Sequence, residues 1–113
     1  MPFDPNKALL LIQQQLKELE SIYHDTMQMS LNTVAGTERV AKWRVRTIAL
    51  LAESVGEKAS QDFARLQPGM VFTNDLVEEF TDLVDCFRVP LRALAQQISQ
   101  ASQRSPGGGS VGA

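Results

Sequence analysis

Apolar side chains recur at steps of three and four residues along most of the chain, a spacing that places them on one face of an α-helix. The clearest instance is the stretch from Thr37 to Gly56, which predicts a central helix. We expect the hydroxyl of Thr37 to cap its start and Gly56 to end it in the left-handed conformation. Its apolar face contains Val40, Trp43, Ile48, Leu51 and Val55.

An earlier helix is predicted to start at Asp4-Pro5, because Asp caps helices and proline at the first helical position loses no needed N–H. The apolar stripe that follows predicts a helix over about residues 5–31, interrupted by Asn32-Thr33 and Gly36. Leu10 and Leu11 add a second apolar flank, which we expect to contact the last helix or another subunit. The heptad-like seam contains Leu9, Ile12, Leu16, Leu19 and Tyr23.

After Gly56 the sequence predicts a short helix, a turn and a short apolar run. The helix covers residues 57–66, and the turn is Gln67-Pro68-Gly69. The run Met70-Val71-Phe72 is expected to close one end of the core. The side chains of the short helix that face inward are predicted to be Ala59, Phe63 and Leu66.

Thr73 or Asn74 is expected to cap the last helix, with acidic residues in its first turn. Pro90 lies within this helix, where it removes one backbone N–H and costs about 3 kcal/mol in a regular interior. Because the apolar phase continues past Pro90, we expect one continuous helix kinked there. A break, with a new helix starting near Pro90, is the alternative. The apolar series is Leu76, Phe80, Leu83, Phe87, Leu91, Leu94 and Ile98.

These elements predict an all-α fold, an up-and-down helical bundle of three longer helices and one short helix. We expect one domain over residues 1–104. Residues 105–113, rich in glycine and serine, predict a disordered tail or the start of a linker. The expected core comprises Leu9, Ile12, Leu16, Leu19, Tyr23, Val40, Trp43, Ile48, Leu51, Phe63, Phe80, Leu83, Phe87, Leu94 and Ile98.

The composition is that of an ordinary soluble domain, with 43% hydrophobic and 21% charged residues. The net charge of −2 disfavours nonspecific binding of nucleic acid or anionic membranes by the whole molecule. A single cysteine, Cys86, excludes an internal disulfide and a cysteine-based zinc site. The longest apolar run, Ala8–Ile12, is too short to span a membrane, and the start of the chain lacks the features of a signal peptide. We therefore expect a cytoplasmic protein.

Charge is distributed unevenly along the chain. Residues 39–46 carry four basic groups and no acid, whereas residues 75–85 carry five acids and no base. We expect these two sets to pair with each other, within the bundle or between subunits. Where they instead contact a partner, a protein is favoured over nucleic acid. The basic set is Arg39, Lys42, Arg44 and Arg46. The acidic set, which is expected to face solvent or a partner, begins at Asp75 and continues with Glu78, Glu79, Asp82 and Asp85.

No motif predicts a catalytic, cofactor-binding or metal site. The pattern EExxD at 78–82 is similar to that of all-α nucleoside triphosphate pyrophosphatases, which hold magnesium between carboxylates from two helices. Such a site needs a second acidic pair, but no acid follows Asp85. Neither His24 nor Cys86 has the residues nearby in sequence that a nucleophilic or nuclease site requires. We therefore expect no enzymatic activity, no cofactor and no small-molecule substrate.

The central and last helices contain a characteristic order of residues: Glu38–Arg39, Trp43, Thr47, Leu50-Leu51, Val55-Gly56, Phe63, Leu91, Leu94 and Ile98. This pattern resembles a helical module of prokaryotic proteins. That module often precedes predicted nucleotide-binding or TIR-like effector domains, and the resemblance covers about residues 38–100. Glu57-Lys58 departs from it, because small or acidic residues are usual there. The resemblance implies an adaptor or sensing role beside an effector in a defence or signalling system, and no catalytic residue.

Two functions remain open from the sequence. The first is a noncatalytic helical module that self-associates or docks a protein partner. The second is a small RNA- or DNA-binding helical protein that uses the basic helix 39–46. Apolar surface in excess of what three neighbouring helices cover predicts a dimer or higher assembly through the first and last helices. The side chains expected to contribute to that surface are Leu10, Leu11, Ile22, Val77, Val84 and Val89.

Overall fold

A computed structural model describes residues 3–30, 32–69 and 75–103. Within these ranges the regular elements are helices and no strand is present, which confirms the predicted all-α class. None of the described helices is both long and apolar enough to cross a membrane. The helices are α1 (Pro5–Asp25), α2 (Thr33–Ser54), α3 (Glu57–Ala64) and α4 (Leu76–Gln103), and a π-helical segment (Thr26–Ser30) directly follows α1.

Aspartate side chains cap the starts of α1 and α4. The carboxylate of Asp4 accepts hydrogen bonds from the backbone N–H groups two and three residues downstream, which confirms the predicted start at Asp4-Pro5. Asp75 does the same for α4. The predicted caps Thr73 and Asn74 lie outside the described residues.

The start of α2 was predicted too late. Asn32 caps this helix, because its side-chain oxygen accepts the backbone N–H of Ala35 at 3.1 Å. Thr37 lies inside the helix instead, and its hydroxyl donates to the backbone carbonyl of Thr33 at 2.7 Å. A threonine whose hydroxyl donates to the carbonyl four residues earlier is accommodated inside a helix. Thr37 is therefore not the start of α2.

Gly36 lies within α2 rather than interrupting it, and it is buried. A Cβ at this position would lie 2.5 Å from Oγ1 of Thr26 and 3.0 Å from a ring carbon of Phe80. Thr26 belongs to the π-helical segment, and its own hydroxyl donates to the carbonyl of Ile22 at 2.8 Å. Glycine therefore allows α2 to pack closely against both the π-helical segment and α4.

Gly56 separates α2 from α3, as predicted. Its φ of 147° is strained for residues with a side chain. Its N–H donates to the carbonyl of Leu51 at 2.8 Å, and its carbonyl accepts the N–H of Ser60 at 3.1 Å. One residue thus ends α2 and begins α3, which stops at Ala64, two residues before the predicted end.

Helices α2 and α4 both run antiparallel to α1 around a shared core. Trp43 of α2 contacts Gln15 in the middle of α1, while Arg39, one turn earlier in α2, reaches Asp25 at the C-terminal end of α1. These two contacts make α1 and α2 antiparallel. Helix α4 is antiparallel to α1 for the same reason, because its Thr81 meets Tyr23 and its Arg88 meets Glu20.

Three aromatic rings form the centre of the core. Trp43, Phe63 and Phe87 come from α2, α3 and α4, and their ring centroids lie 5.6–5.9 Å apart. Tilted and edge-to-face contacts stabilise aromatic pairs by more than the burial of their apolar surface alone. The buried apolar residues are Ala8, Ile12, Leu19, Ile22, Val40, Trp43, Leu51, Phe63, Phe80, Val84, Phe87, Leu91 and Ile98.

The buried face of α1 is rotated from the predicted seam. Gln15, expected on a polar face, is buried, and so is Ile22. Leu9, Leu16 and Tyr23 are only half-buried, although they pack against the core from its edge. A similar shift occurs in α2 and α4, where Thr47 and Val84 are buried while Ile48, Leu83 and Leu94 are half-buried.

Helix α4 continues through Pro90 without a break, so the alternative of two separate helices is wrong. The start of α4 differs from expectation, because Leu76 exposes 63% of its surface. Two residues expected to form an oligomer interface, Ile22 and Val84, are buried within the chain. Part of the apolar surface that predicted self-association is therefore already covered within the chain.

Candidate functional site

A groove runs between α2 and α4, beside the end of α3. Its first section, about 290 Å³, lies at the start of both helices. Its second section, about 460 Å³, lies farther along α2 and reaches Ala64 of α3. The two sections share Thr37 and Leu83, so we describe them together as the α2–α4 groove. It is lined by Thr33, Thr37, Val40, Ala41, Arg44, Val45, Ile48, Ala64, Pro68, Gly69, Leu76, Glu79, Phe80, Leu83 and Phe87.

The α2–α4 groove has an apolar floor and partly apolar rims. Val40, Phe80 and Phe87 are buried and form part of the floor. On the rims, Val45 of α2 exposes 68% of its surface and Leu76 of α4 exposes 63%. Covering exposed apolar side chains beside an apolar floor with another apolar surface is favourable, because it removes apolar area from water.

Arg44 lines the second section of the groove, where its half-buried guanidinium is held in place by hydrogen bonds. Its Nη2 atom donates to the backbone carbonyls of Ala64 at 2.8 Å and Leu66 at 2.6 Å. Its guanidinium carbon lies 4.9 Å from the ring centroid of Phe87. Its Nε atom is buried without a hydrogen-bond partner. Arg44 thus ties α2 to the carbonyls at the end of α3 and to the core.

The remaining predicted basic residues are divided between two environments. Arg39 forms an ion pair with Asp25 at 3.3 Å, and Arg46 forms one with Glu18. Both acids belong to α1, so within the described parts of the chain these two arginines do not pair with the acidic stretch 75–85, and the pairing between subunits stays a prediction. Lys42 is exposed and makes no ion pair with any described residue.

The acidic residues of α4 lie mostly in solvent. Glu78, Glu79 and Asp82 are exposed and form no ion pair with the described residues, and Glu79 lines the groove. Asp85 is engaged elsewhere, because it accepts a hydrogen bond from Nε of Arg88 at 2.9 Å. Three carboxylates therefore carry uncompensated charge on the first two turns of α4.

Arg88 joins α4 to α1 through charged groups. It bonds Glu20 at 2.5 Å as well as Asp85, and its guanidinium lies 5.5 Å from the ring centroid of Tyr23. Burial by itself lowers the pKa of Arg88, but the hydrogen bonds to Glu20 and Asp85 outweigh it and raise the pKa. This network holds two helices together on the side of α4 that faces α1.

Leu10 and Leu11, which were predicted to form one apolar flank, lie in different environments. Leu10 exposes 56% of its surface, whereas Leu11 is half-buried and packs against the core. Val77 and Val89 of α4 are exposed by 41% and 59%. The exposed residues of the predicted interface are thus reduced to three side chains.

Reactive and metal-binding side chains do not converge in the described part of the chain. No group of three or more His, Cys, Asp and Glu residues there has the geometry to hold a metal ion. Burial raises the pKa of the Cys86 thiol, and the nearby charge of Arg44 only partly opposes this effect. A raised pKa keeps the thiol protonated at neutral pH and lowers its reactivity.

One local feature of the sequence indicates the groove. Val45 lies between two arginines and off the apolar face of its helix, where a polar residue is usual. Leu76 matched the apolar phase of α4, so its exposure was not expected from the sequence. The groove depends on the short length of α3 and on the parallel course of α2 and α4, which periodicity does not reveal.

Comparison of this chain with protein families, curated proteins and solved structures finds no match. Its function is therefore inferred from the groove and from the charges around it.

Proposed function

We propose that this chain is a noncatalytic helical interaction module of the cytoplasm that docks a protein partner in the α2–α4 groove. The observation that carries the proposal is the apolar floor of the groove beside the exposed side chains of Val45 and Leu76. Covering such side chains contributes about 25 cal/mol for each Å² of apolar surface removed from water.

A helix is the partner element that fits this groove. The wall formed by α2 from Thr33 to Ile48 is about 22 Å long at 1.5 Å per residue, or roughly four helical turns. Helices that insert an apolar face into such a groove are a recurrent mode of protein recognition. The antiparallel contacts of α1 with α2 and α4 support an up-and-down bundle. Because α3 has only 8 residues, the docked helix would complete the fourth position of that bundle.

A kink of α4 at Pro90 is a further part of the proposal. Proline cannot donate to the carbonyl of Cys86, and its ring crowds that carbonyl. The bend would set the angle between the two halves of α4, of which the first borders the groove.

The resemblance to modules that precede TIR-like or nucleotide-binding effector domains supports an adaptor role. A docking groove on such a module would recruit the partner to an effector in a prokaryotic defence or signalling system. This role requires no catalytic group from the chain itself.

Nucleic acid is ranked behind a protein partner for the same surface of α2. Two of the four basic side chains, Arg39 and Arg46, already pair with acids of α1. Arg44 donates to backbone carbonyls, so Lys42 is the one exposed cation of the set that has no ion pair in the described ranges. Phosphate binding draws on several free cations at once. Self-association is also ranked lower, because Ile22 and Val84 are buried within the chain.

The proposal is tested with a matched pair of surface variants. Val45→Glu places a charge on the rim of the groove, and Ala52→Glu places the same charge on an exposed position of α2 about two turns beyond it. Proteins captured from native lysate are purified, and their affinity for each variant is measured by calorimetry. We expect a partner whose dissociation constant rises at least tenfold with Val45→Glu and does not change with Ala52→Glu. A set of partners that bind both variants equally well would contradict docking in the groove.

A further inference from the structure

We infer that α3 is a hinged flap, which opens as a unit while α1, α2 and α4 stay packed against one another. The flap contributes Phe63 to the aromatic cluster of the core, so its opening uncovers the rings of Trp43 and Phe87. This motion is a property of the fold and is independent of any partner that the chain binds.

Glycine-containing turns join both ends of α3 to the rest of the chain. Gly56 precedes the helix with a φ of 147°, and a Cβ added there would have no neighbouring atom within 4 Å. The exposed turn Gln67-Pro68-Gly69 follows the helix, and Gly69 is equally uncrowded. A few such residues can absorb the changes in φ and ψ that a hinge motion requires.

Two buried side chains fix α3 to the core. The hydroxyl of Ser60 donates to the backbone carbonyl of Ile48 at 2.9 Å. The ring of Phe63 contacts Trp43 of α2 and Phe87 of α4. These are the buried residues of α3, and the rest of the helix faces solvent or is half-buried. The closed position therefore depends on a small number of contacts.

The charged side chains of α3 do not attach it to the other helices. Lys58 pairs with Asp62 at 2.8 Å, and Gln61 donates to Glu57 at 3.2 Å, so both contacts lie within α3. Among the described residues, no ion pair joins α3 to α1, α2 or α4. A helix of 8 residues is not stable in water by itself. We therefore expect α3 to lose its helical hydrogen bonds when it leaves the core.

Arg44 of α2 holds the end of α3 incompletely. Its Nη2 atom donates to the carbonyls of Ala64 and Leu66, while its Nε atom is buried without a partner. A buried donor that lacks an acceptor destabilises the state in which it is buried. The unpaired Nε thus offsets part of the stability that the two carbonyl bonds give to the closed position.

Clefts border α3 in its closed position. One cleft, of about 270 Å³, lies between α3 and α4, with Ala59 and Phe63 on one side and Leu91 and Leu94 on the other. The second section of the α2–α4 groove reaches Ala64 at the end of the helix. Atoms that border open space lack some of the dispersion contacts of a close-packed core. Moving α3 away from α4 therefore breaks fewer contacts than moving a long helix would.

The three long helices are joined by contacts that do not include α3. Gln15 of α1 accepts hydrogen bonds from Trp43 and Thr47 of α2, and Glu20 of α1 bonds Arg88 of α4. These contacts remain when α3 moves away. Proteins commonly open in such local units, at a lower free energy than global unfolding requires.

Opening of α3 enlarges the α2–α4 groove. Ala64 leaves the edge of the groove, and Arg44 loses the carbonyls that hold its guanidinium. The cleft between α3 and α4 then joins the groove beside the ring of Phe87. The open form thus presents more apolar surface than the closed form.

Native-state hydrogen exchange of the full chain, followed by NMR at increasing urea below the unfolding transition, tests the motion. Backbone N–H groups of residues 60–65 are hydrogen-bonded in closed α3. We expect them to share one opening reaction, at least about tenfold more frequent than the opening that exposes the slowest amides of α1. Its dependence on urea should be weaker, because a local opening exposes less surface than global unfolding.

A matched pair of variants separates local opening from global unfolding. Phe63→Leu weakens contacts that exist only while α3 is closed, and should raise exchange in α3 by about fivefold or more. Arg88→Met weakens the α1–α4 contact, which is present in both the closed and the open form. It should raise exchange of the slowest amides of α1 by about 5- to 30-fold and leave exchange in α3 unchanged. Circular dichroism confirms that each variant is folded.

Four results would overturn the inference. If residues 60–65 share the exchange free energy and urea dependence of the slowest amides of α1, or if Arg88→Met accelerates them, α3 opens only when the whole chain unfolds. Amides of α3 that exchange independently of one another, or without protection, would show fraying rather than the opening of a unit. Unchanged exchange in Phe63→Leu would show that the aromatic contacts do not hold the flap closed.

Discussion

The indole Nε1 of Trp43 donates a hydrogen bond of 2.9 Å to the backbone carbonyl oxygen of Gln15. The indole is fully buried, and the bond joins the middle of α2 to the middle of α1. A helical carbonyl has a second lone pair, so the oxygen accepts this bond in addition to its place in the helix. The bond draws the backbone of α1 toward α2 and places residue 15 on the buried face.

Two replacements of Trp43 distinguish the stability contributed by the packing of its ring from that contributed by the hydrogen bond of its N–H. Trp43→Ala should lower the free energy of unfolding by about 3–5 kcal/mol, because it leaves a cavity between Phe63 and Phe87. Trp43→Phe keeps an aromatic ring there but loses the donor, and should cost about 1–2 kcal/mol. Urea denaturation measures both values. Unchanged stability of Trp43→Ala would show that the indole is not in the core.

Gln15 and Thr47 form a second, coupled contact between α1 and α2. The hydroxyl of Thr47 lies 2.9 Å from Oε1 of Gln15 and 2.8 Å from the carbonyl oxygen of Trp43, and both side chains are buried. Thr47→Val should cost about 1–3 kcal/mol, since it leaves the buried amide of Gln15 without this partner. Adding Gln15→Leu should restore part of the loss.

A double-mutant cycle on Gln15 and Thr47 measures this coupling. We expect the two single changes to sum to more than the double change by about 1 kcal/mol, because the contact is lost only once. Strict additivity would show that the two side chains do not stabilise each other.

Gly36 allows close packing, and its replacement has a specific rescue. Gly36→Ala should destabilise the chain by about 1–3 kcal/mol through overpacking, although alanine favours helices by about 1 kcal/mol over glycine. Because Thr26 supplies the two nearest atoms, the same change should cost less in a Thr26→Ala background. Thermal melts of the four proteins test this expectation. An equal cost in both backgrounds would place the conflict elsewhere, at Phe80 for example.

Arg88 should contribute more to stability than its neighbour Arg92. The Arg88 side chain is 15% exposed and bonds two carboxylates, whereas Arg92 is 62% exposed and lies 3.8 Å from Glu20. Arg88→Met should cost about 1–2 kcal/mol, and Arg92→Met less than about 0.5 kcal/mol. Denaturation curves of the two variants provide the comparison, and equal losses would contradict the importance of the network between α1 and α4.

The helices themselves followed from the sequence because their signals are local. Asp4-Pro5 and Gly56 marked helix ends through the conformation and hydrogen bonds of one or two residues. The apolar period then identified α1, α2 and α4. The start of α2 was misplaced because Asn32 and Thr37 are both suitable caps, and the choice depends on the packing of Gly36 against Thr26, a contact between two segments.

The buried faces and the charge pairs were less predictable because they arise between helices. Gln15 and Thr47 are polar, and they are buried because each supplies a partner for the other. Arg39 and Arg46 pair with α1 rather than with α4, an outcome set by which helices are neighbours. The exposed acids of α4 and the apolar character of Val45 could be read from the sequence, but the groove that brings them together could not.

Site-specific photo-crosslinking tests docking in the α2–α4 groove most directly. A photoreactive amino acid replaces Val45 or Leu76 on the rims, or Ala52 and Leu10 as exposed controls outside the groove. Irradiation with the purified partner, followed by mass spectrometry, identifies the joined residues. We predict crosslinks from Val45 and Leu76 to one amphipathic helix of the partner and none from Ala52 or Leu10. Crosslinks from Ala52 or Leu10 alone would show that the partner binds another face of the chain.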